Sequence, residues 1–337
     1  MPKVRVTNSG VAGACSTRKL RDRTLESDHM VFPSRPLLVV AMTTVLFAAN
    51  SSQAAVTTPF DFSKHAIALN VTVKGVPLYV LLDTGVDPSV IDIKRADALA
   101  LPVDRRTSGQ ADGEGTGSTT VFPATIKDLE IGGHAFGDVV TLAADMGTLS
   151  KTYGRPVDGV LGYSFLKDKV VLIDYTASTV TIFSGTKEAE VFVRQCRKHY
   201  GTPLRSFADE QIPVIPDFQL GDAKVPITLD TGSNRGIALY QVALNVKGIR
   251  GALKVTGKAH GAGARGTFTS DTATLNVPVG MGPFQLPAGE PVVVMSSRGS
   301  ADSRIANIGN MTFAAMKVKL LLDYPAKQVS FYGDCAP

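Results

Sequence analysis

Metal chemistry and serine chemistry both lack their usual signs in this sequence. Its five histidines, His29, His65, His134, His199 and His260, are scattered, and no Cys-x-x-Cys occurs. That leaves no ligand set for a metal, and none is expected. Gly-x-Ser-x-Gly is absent, so a strained nucleophile elbow has no anchor. An excess of one charge is missing too: residues 1–54 hold seven Lys/Arg against three acids, which leaves 28 basic and 27 acidic residues in the rest of the 337-residue chain. With no basic stripe among aromatics, nucleic acid is excluded as a partner.

Long hydrophobic runs are also scarce. The main one, residues 37–49, is too short to span a bilayer comfortably. Arg35 precedes it and Ser52-Gln53-Ala54 follows it. A basic flank, a short apolar core and a small-x-small site describe a secretory signal peptide over 1–54 with a long n-region. Export to the periplasm or medium is expected, with no stable membrane span after its removal. Only a few residues then separate Ala54 from the first strand, so no prosegment is expected. Cys15 would leave with the leader. Cys196 and Cys335 remain, an even count that permits one disulfide, with two free thiols as the alternative.

What the chain does have is a duplication. Asp-Thr-Gly occurs at 83–85 after Val80-Leu81-Leu82 and at 230–232 after Ile227-Thr228-Leu229. Asp83 is followed after 75 residues by Asp158-Gly159-Val160-Leu161-Gly162 and after 91 by Asp174-Tyr175. Asp230 is followed after 77 by Asn307-Ile308-Gly309 and after 93 by Asp323-Tyr324. Such matched spacing decides the architecture before any single element does. Two lobes are expected, at 60–185 and 212–337, joined by a charged linker at 186–211 whose Glu188–Lys198 stretch suits one helix.

Short β-branched runs broken by Gly, Pro and Asp recur at 121–126, 129–132, 138–142, 170–174 and 179–183, as in an all-β, mainly antiparallel fold. Helical stretches are few: 93–101, 163–167, 239–246 and 310–316. Gly261-Ala262-Gly263-Ala264-Arg265-Gly266 matches the dinucleotide fingerprint as a string, but strand-like sequence follows where a helix is required. It reads better as a flap at a hairpin tip, 31 residues after Asp230. Gly113, Gly115 and Gly117 form its counterpart, beginning 30 after Asp83. Gly261 and Gly263 are the matching candidates for substrate contact.

The residue types fit one chemistry. A strand-end aspartate presents a carboxylate to the axis between lobes, glycine lets two backbones meet, and threonine offers a hydroxyl to tie the loops. Two carboxylates in close contact share one proton, so one can take a proton from water while the other protonates the carbonyl.

On these residues the chain resembles the aspartic proteases, both the pepsin-like two-lobed enzymes and the bacterial retropepsin-like proteins. The resemblance spans roughly 60–337 and implies two pseudo-symmetric β-barrel lobes flanking a cleft, with a few short helices. It implies aspartic endopeptidase activity on peptide or protein substrates, without a cofactor, in a monomer. Asp83 and Asp230 are the implied catalytic pair, supported by Thr84, Gly85, Thr231, Gly232 and Ser233. Residues 160–162 and 306–309 are the implied segments crossing behind the catalytic loops. A lobed binding protein that has lost turnover is the alternative. Ser233 follows the second motif where Val86 follows the first, so Ser233 is expected to donate to the outer oxygen of Asp230. Neither flap carries the tyrosine of pepsin-like enzymes.

Overall fold

The computed structural model describes residues 4–5, 55–206, 211–295 and 304–336. Apart from Val4–Arg5, paired with Gln110 and Ala111, the expected leader lies outside the described residues. Among the described residues, no helix is long and apolar enough to cross a membrane.

The expected plan of two β lobes around a cleft is the one observed. In the first lobe, Ala68–Val73 and Val76–Leu82 form a hairpin. Val76–Leu82 runs parallel to Gly159–Leu161, which pairs with Ser89–Asp92. Ser89–Asp92 then pairs with His134–Ala144, that strand with Thr120–Ile131, and that one back with Ala68–Val73, closing a barrel. The run Val80-Leu81-Leu82 is apolar throughout because both of its faces are covered. Val80 and Leu82 enter the main core, and Leu81 packs with Val160 and Val86 on the other side.

The second lobe repeats the order. Pro213–Leu220 and Ala223–Leu229 form the hairpin, Ala306–Ile308 lies parallel to it, and Ile237–Leu239, Glu290–Met295 and Gly266–Leu275 follow. Here the far side of Pro213–Leu220 pairs with Val279–Met281. Among the described residues the second sheet therefore stays open where the first closes.

A third, six-stranded sheet joins the lobes. Its centre is Val170–Asp174 against Lys319–Asp323, with Leu172 opposite Leu321 and Lys319 bridging to Asp174 at 2.9 Å. Thr179–Phe183 and Val56–Pro59 extend it on one side, Gln328–Cys335 and Cys196–Pro203 on the other. Each lobe thus contributes a hairpin and the strand that precedes the lobe.

Several local expectations change. Residues 239–246 are not an α-helix: Ile237–Leu239 is a strand and Gln241–Asn245 one 3-10 turn. Leu239 is needed in the sheet and packs in the core, so tertiary pairing overrides the helical spacing. The connecting segment is helical over Thr186–Val193 and then becomes strand Cys196–Pro203. Helices Ile93–Ala98, Tyr163–Leu166 and Asn310–Ala315 stand where the pattern put them, the first capped by Asp92 on the N–H groups of Lys94 and Arg95.

Cys196 and Cys335 sit opposite each other on paired strands and are disulfide-bonded, closing a loop of 139 residues. A cross-link of that span restricts the unfolded chain, which stabilises the fold by about 2–4 kcal/mol. Replacing both cysteines by serine is expected to lower the urea midpoint accordingly, and adding reductant to the parent should match it. A midpoint unchanged by either treatment would contradict this.

Candidate active site

Asp83 and Asp230 each stand one residue beyond a strand end and are held there by the parallel strand beside them. Asp83 donates its N–H to the carbonyl of Leu161, and Asp230 donates its own to that of Ile308, both at 3.0 Å. The next residues lock the two loops together. Thr84 Oγ1 accepts from the N–H of Thr231 at 3.1 Å and donates to the Leu229 carbonyl at 3.0 Å. Thr231 Oγ1 accepts from the N–H of Thr84 and donates to the Leu82 carbonyl, both at 3.0 Å. All of these groups are buried. A Cβ on Gly232 would overlap the Asp83 carboxyl, so only glycine allows the approach of the second loop.

The two carboxyls are not equivalent. Asp83 Oδ1 accepts from the N–H of Gly85 at 2.7 Å, while Oδ2 is buried against Gly232 and takes no donor among the described residues. Burial, followed by the charge of Asp230, pushes the Asp83 carboxyl well above the usual carboxylate range. Asp230 Oδ1 accepts from the N–H groups of Gly232 and Ser233, at 3.0 and 3.1 Å. Its Oδ2 accepts from Asn307 Nδ2 at 3.2 Å.

The Ser233 hydroxyl is therefore not the expected donor; its backbone N–H binds Oδ1, and the Asn307 amide serves the other oxygen. The register explains it. Thr228 and Asn307 pair as Leu81 and Val160 do in the first lobe. Thr228 donates to Asn307 Oδ1, which turns the amide nitrogen toward Asp230 and toward Tyr240 Oη at 2.8 Å. Tyr240 in turn donates to Glu114 Oε1 at 2.9 Å. A polar chain thus links the first flap to Asp230, where the first lobe has hydrocarbon.

The flaps meet each other over the cleft. The N–H of Gly117 donates to the Arg265 carbonyl at 2.6 Å, that of Arg265 to the Glu114 carbonyl at 2.9 Å, and that of Thr116 to the Thr267 carbonyl at 3.1 Å. Gly115 has φ +121°, and a Cβ there would lie 2.6 Å from the Arg265 carbonyl carbon. Gly263 lies against Glu114, and Gly261 against Phe268. Gly113 sits at the start of the first flap loop with its N–H bonded to Asp112. Of the expected flap residues, Gly115, Gly117 and Gly263 are thus at the flap contact, whereas Gly113 and Gly261 flank it.

Two kinds of pocket open beside the carboxyls. One, of about 90 Å³, is walled by Val86, Val90, Val121, Met146, Leu149 and Val160 and is bordered by Gly263 and Ala264 of the second flap. The other, near Gly232, is walled by Tyr153, Asn234, Arg235 and His260. Tyr153 ends a helix, Gly147–Tyr153, that the glycine and polar residues around it conceal in the sequence. Its hydroxyl is pushed above the usual phenol range by burial and then by Asp83. Among the described residues no cluster of His, Cys, Asp or Glu could hold a metal.

A family described as aspartyl protease matches residues 69–165. Over that stretch, which contains Asp83-Thr84-Gly85, the chain is aspartic-protease-like. No curated protein matches the sequence. Among solved structures, basic 7S globulin from soybean is similar with TM-score 0.45 and 12% identity, covering 84% of this chain and 95% of that one. Conglutin gamma, a basic 7S globulin from lupine seeds, is similar with TM-score 0.47 and 11% identity over the same shares.

Removing the Thr84 hydroxyl orphans one N–H and one carbonyl in a buried place. Thr84→Ala is expected to destabilise the protein by about 2–4 kcal/mol, whereas Thr84→Ser should recover most of it. Denaturant unfolding of the three proteins checks this; equal stabilities would show that the hydroxyl is not the tie.

Proposed function

We propose that this protein is an aspartic endopeptidase in which Asp83 and Asp230 form the catalytic pair. The observation that carries the reading is the unequal donation to two carboxyls facing one axis. Among the described residues Asp230 accepts from the N–H groups of Gly232 and Ser233 and from the Asn307 amide, whereas Asp83 accepts from Gly85 and is driven toward its neutral form by burial. The singly protonated pair then carries its proton mainly on Asp83, with the two groups titrating as a unit.

In that state Asp230 takes a proton from a water lodged between the carboxyls as the water oxygen attacks the scissile carbonyl carbon. Asp83 gives its proton to the carbonyl oxygen. The tetrahedral diol collapses as the amide nitrogen takes a proton from Asp230 and a diol hydroxyl returns one to Asp83. The C–N bond breaks, and the pair is again singly protonated. Thr84, Thr231 and Gly232 position the loops, and the two flaps cover the extended peptide. We also propose that the protein is exported and acts after loss of its leader. The basic flank and apolar core of residues 35–49 support that reading, as does a disulfide, which persists in oxidising compartments.

Asp83→Asn and Asp230→Asn are each expected to abolish cleavage of unfolded casein with circular dichroism unchanged, because the pair works as one unit. Asp92→Asn, which keeps an acceptor at the helix cap, is the control. Equal damage from all three would remove the assignment.

The pH profile follows from the same donors. Activity needs one proton on the pair, so it falls at low pH when the pair holds two protons and at high pH when Asp83 loses its own. The raised pKa of Asp83 sets the upper limb above the ordinary carboxylate value of 3.8. Asn307→Val, which copies the first lobe, removes a donor to the charged form of Asp230. The lower limb of kcat/KM should then move up by about one pH unit. A lower limb that stays in place would show that Asn307 does not set the protonation of the pair.

A further inference from the structure

The pocket beside Gly232 differs in kind from the apolar one. It encloses about 200 Å³ between helix Gly147–Tyr153, the loop after Gly232 and the second flap. No acidic residue lines it, whereas Arg235 and His260 do. Arg235 stands five positions after Asp230 and is half-buried. Three neutral groups orient it. Nη1 donates to Ser270 Oγ at 3.0 Å, Nη2 donates to the His260 carbonyl at 3.1 Å, and the guanidinium lies 5.7 Å from the Phe268 ring centre.

Among the described residues no carboxylate forms an ion pair with Arg235. Glu114 does not line this pocket; with Asp230 it lines the neighbouring one, which Arg235 also borders, its charge acts on Arg235, and its Oε1 accepts from Tyr240. A guanidinium has five N–H donors in a planar fork suited to a carboxylate. Two of its nitrogens are committed to the frame, which leaves N–H groups for a ligand. The charge of Glu114 acts on Arg235, but among the described residues no carboxylate bonds to the guanidinium, and an incoming carboxylate would take its remaining N–H groups.

We propose that Arg235 is a specificity-determining residue and that the pocket beside Gly232 takes a substrate carboxylate. The carboxylate belongs to an Asp or Glu side chain or to a free C-terminus. The apolar pocket walled by Val86 and Val160 takes a hydrocarbon side chain on the other side of the scissile bond. This rests on the peptidase reading for the meaning of the cleft, and its test is separable from it.

The test uses Asp83→Asn protein, so that binding is read without turnover. Short extended peptides with a central leucine carry Glu or Gln at each flanking position in turn, with the C-terminus as acid or as amide. Fluorescence anisotropy should show one carboxylate peptide binding about ten-fold tighter than its amide counterpart, since hydrogen bonds to a charged group are about twice as strong. Whether the side-chain pair or the terminus pair shows the difference identifies the source of the carboxylate.

Arg235→Gln in the same background should bring that ratio near one. Arg235→Lys, which keeps the charge and loses the fork, should retain part of it. Circular dichroism and melting of each variant confirm the fold. Equal affinities within every pair, no binding by any peptide, or a preference that survives Arg235→Gln in folded protein would overturn the proposal. Casein cleavage by the parent reports separately on the peptidase reading: a protein that selects the carboxylate but cleaves nothing keeps the subsite and loses the enzyme.

Discussion

Thr84 and Thr231 hold the two Asp-Thr-Gly loops together through four hydrogen bonds that cross between the lobes. Each loop ends a strand, and a strand end leaves backbone groups that water cannot reach in a buried place. Neither lobe can satisfy those groups alone, because each hydroxyl completes the backbone of the other. The reciprocity fixes the loops against one another, and with them the carboxyls. Gly232 completes the arrangement by offering no side chain where the Asp83 carboxyl lies. The geometry of the site is thus a property of the lobes together, set by ordinary neutral hydrogen bonds.

On this symmetric frame sits an asymmetric environment. At matching positions behind the aspartates the first lobe places Leu81 and Val160, and the second Thr228 and Asn307. The first pair leaves Asp83 among hydrocarbon; the second feeds a donor to Asp230 and extends through Tyr240 to Glu114 on the opposite flap. Burial drives Asp83 toward its neutral form, while Asp230 has the Asn307 amide beside it. A duplicated fold therefore distinguishes its halves at this site by exchanging two core residues for polar ones at the same register.

Much of this was legible in the chain. The paired motifs and their spacing carry the two-lobed plan, since a strand-end Asp-Thr-Gly with a glycine segment behind it has a local pattern. Strands 170–174 and 179–183 were readable from β-branched runs alone. Residues 239–246 misled because helical spacing there coincides with a strand and a turn whose place is fixed by distant partners. Asn307 was visible as part of the crossing segment. Its role as donor was not, since that depends on register with Thr228 and on the amide orientation that register imposes. For Ser233 the residue was right and the atom wrong: the backbone, not the hydroxyl, reaches Asp230. Arg235 gave no signal, because an arginine after a polar turn looks like any surface cation until the second flap folds over it.

The six-stranded sheet has a mechanical consequence. Its central strands belong to different lobes and pair along their full length, with Leu172 facing Leu321. A linker hinge would let the lobes swing apart; a shared hydrogen-bonded sheet resists that and yields only by twisting. Compliance is therefore left to the hairpins at the far side of the cleft. Their mutual contact is made largely by backbone groups of residues 114–117 and 265–267. Those bonds are the kind an extended polypeptide itself offers. Admitting a chain then exchanges one set of backbone bonds for another, and a segment already locked into its own secondary structure has none to exchange.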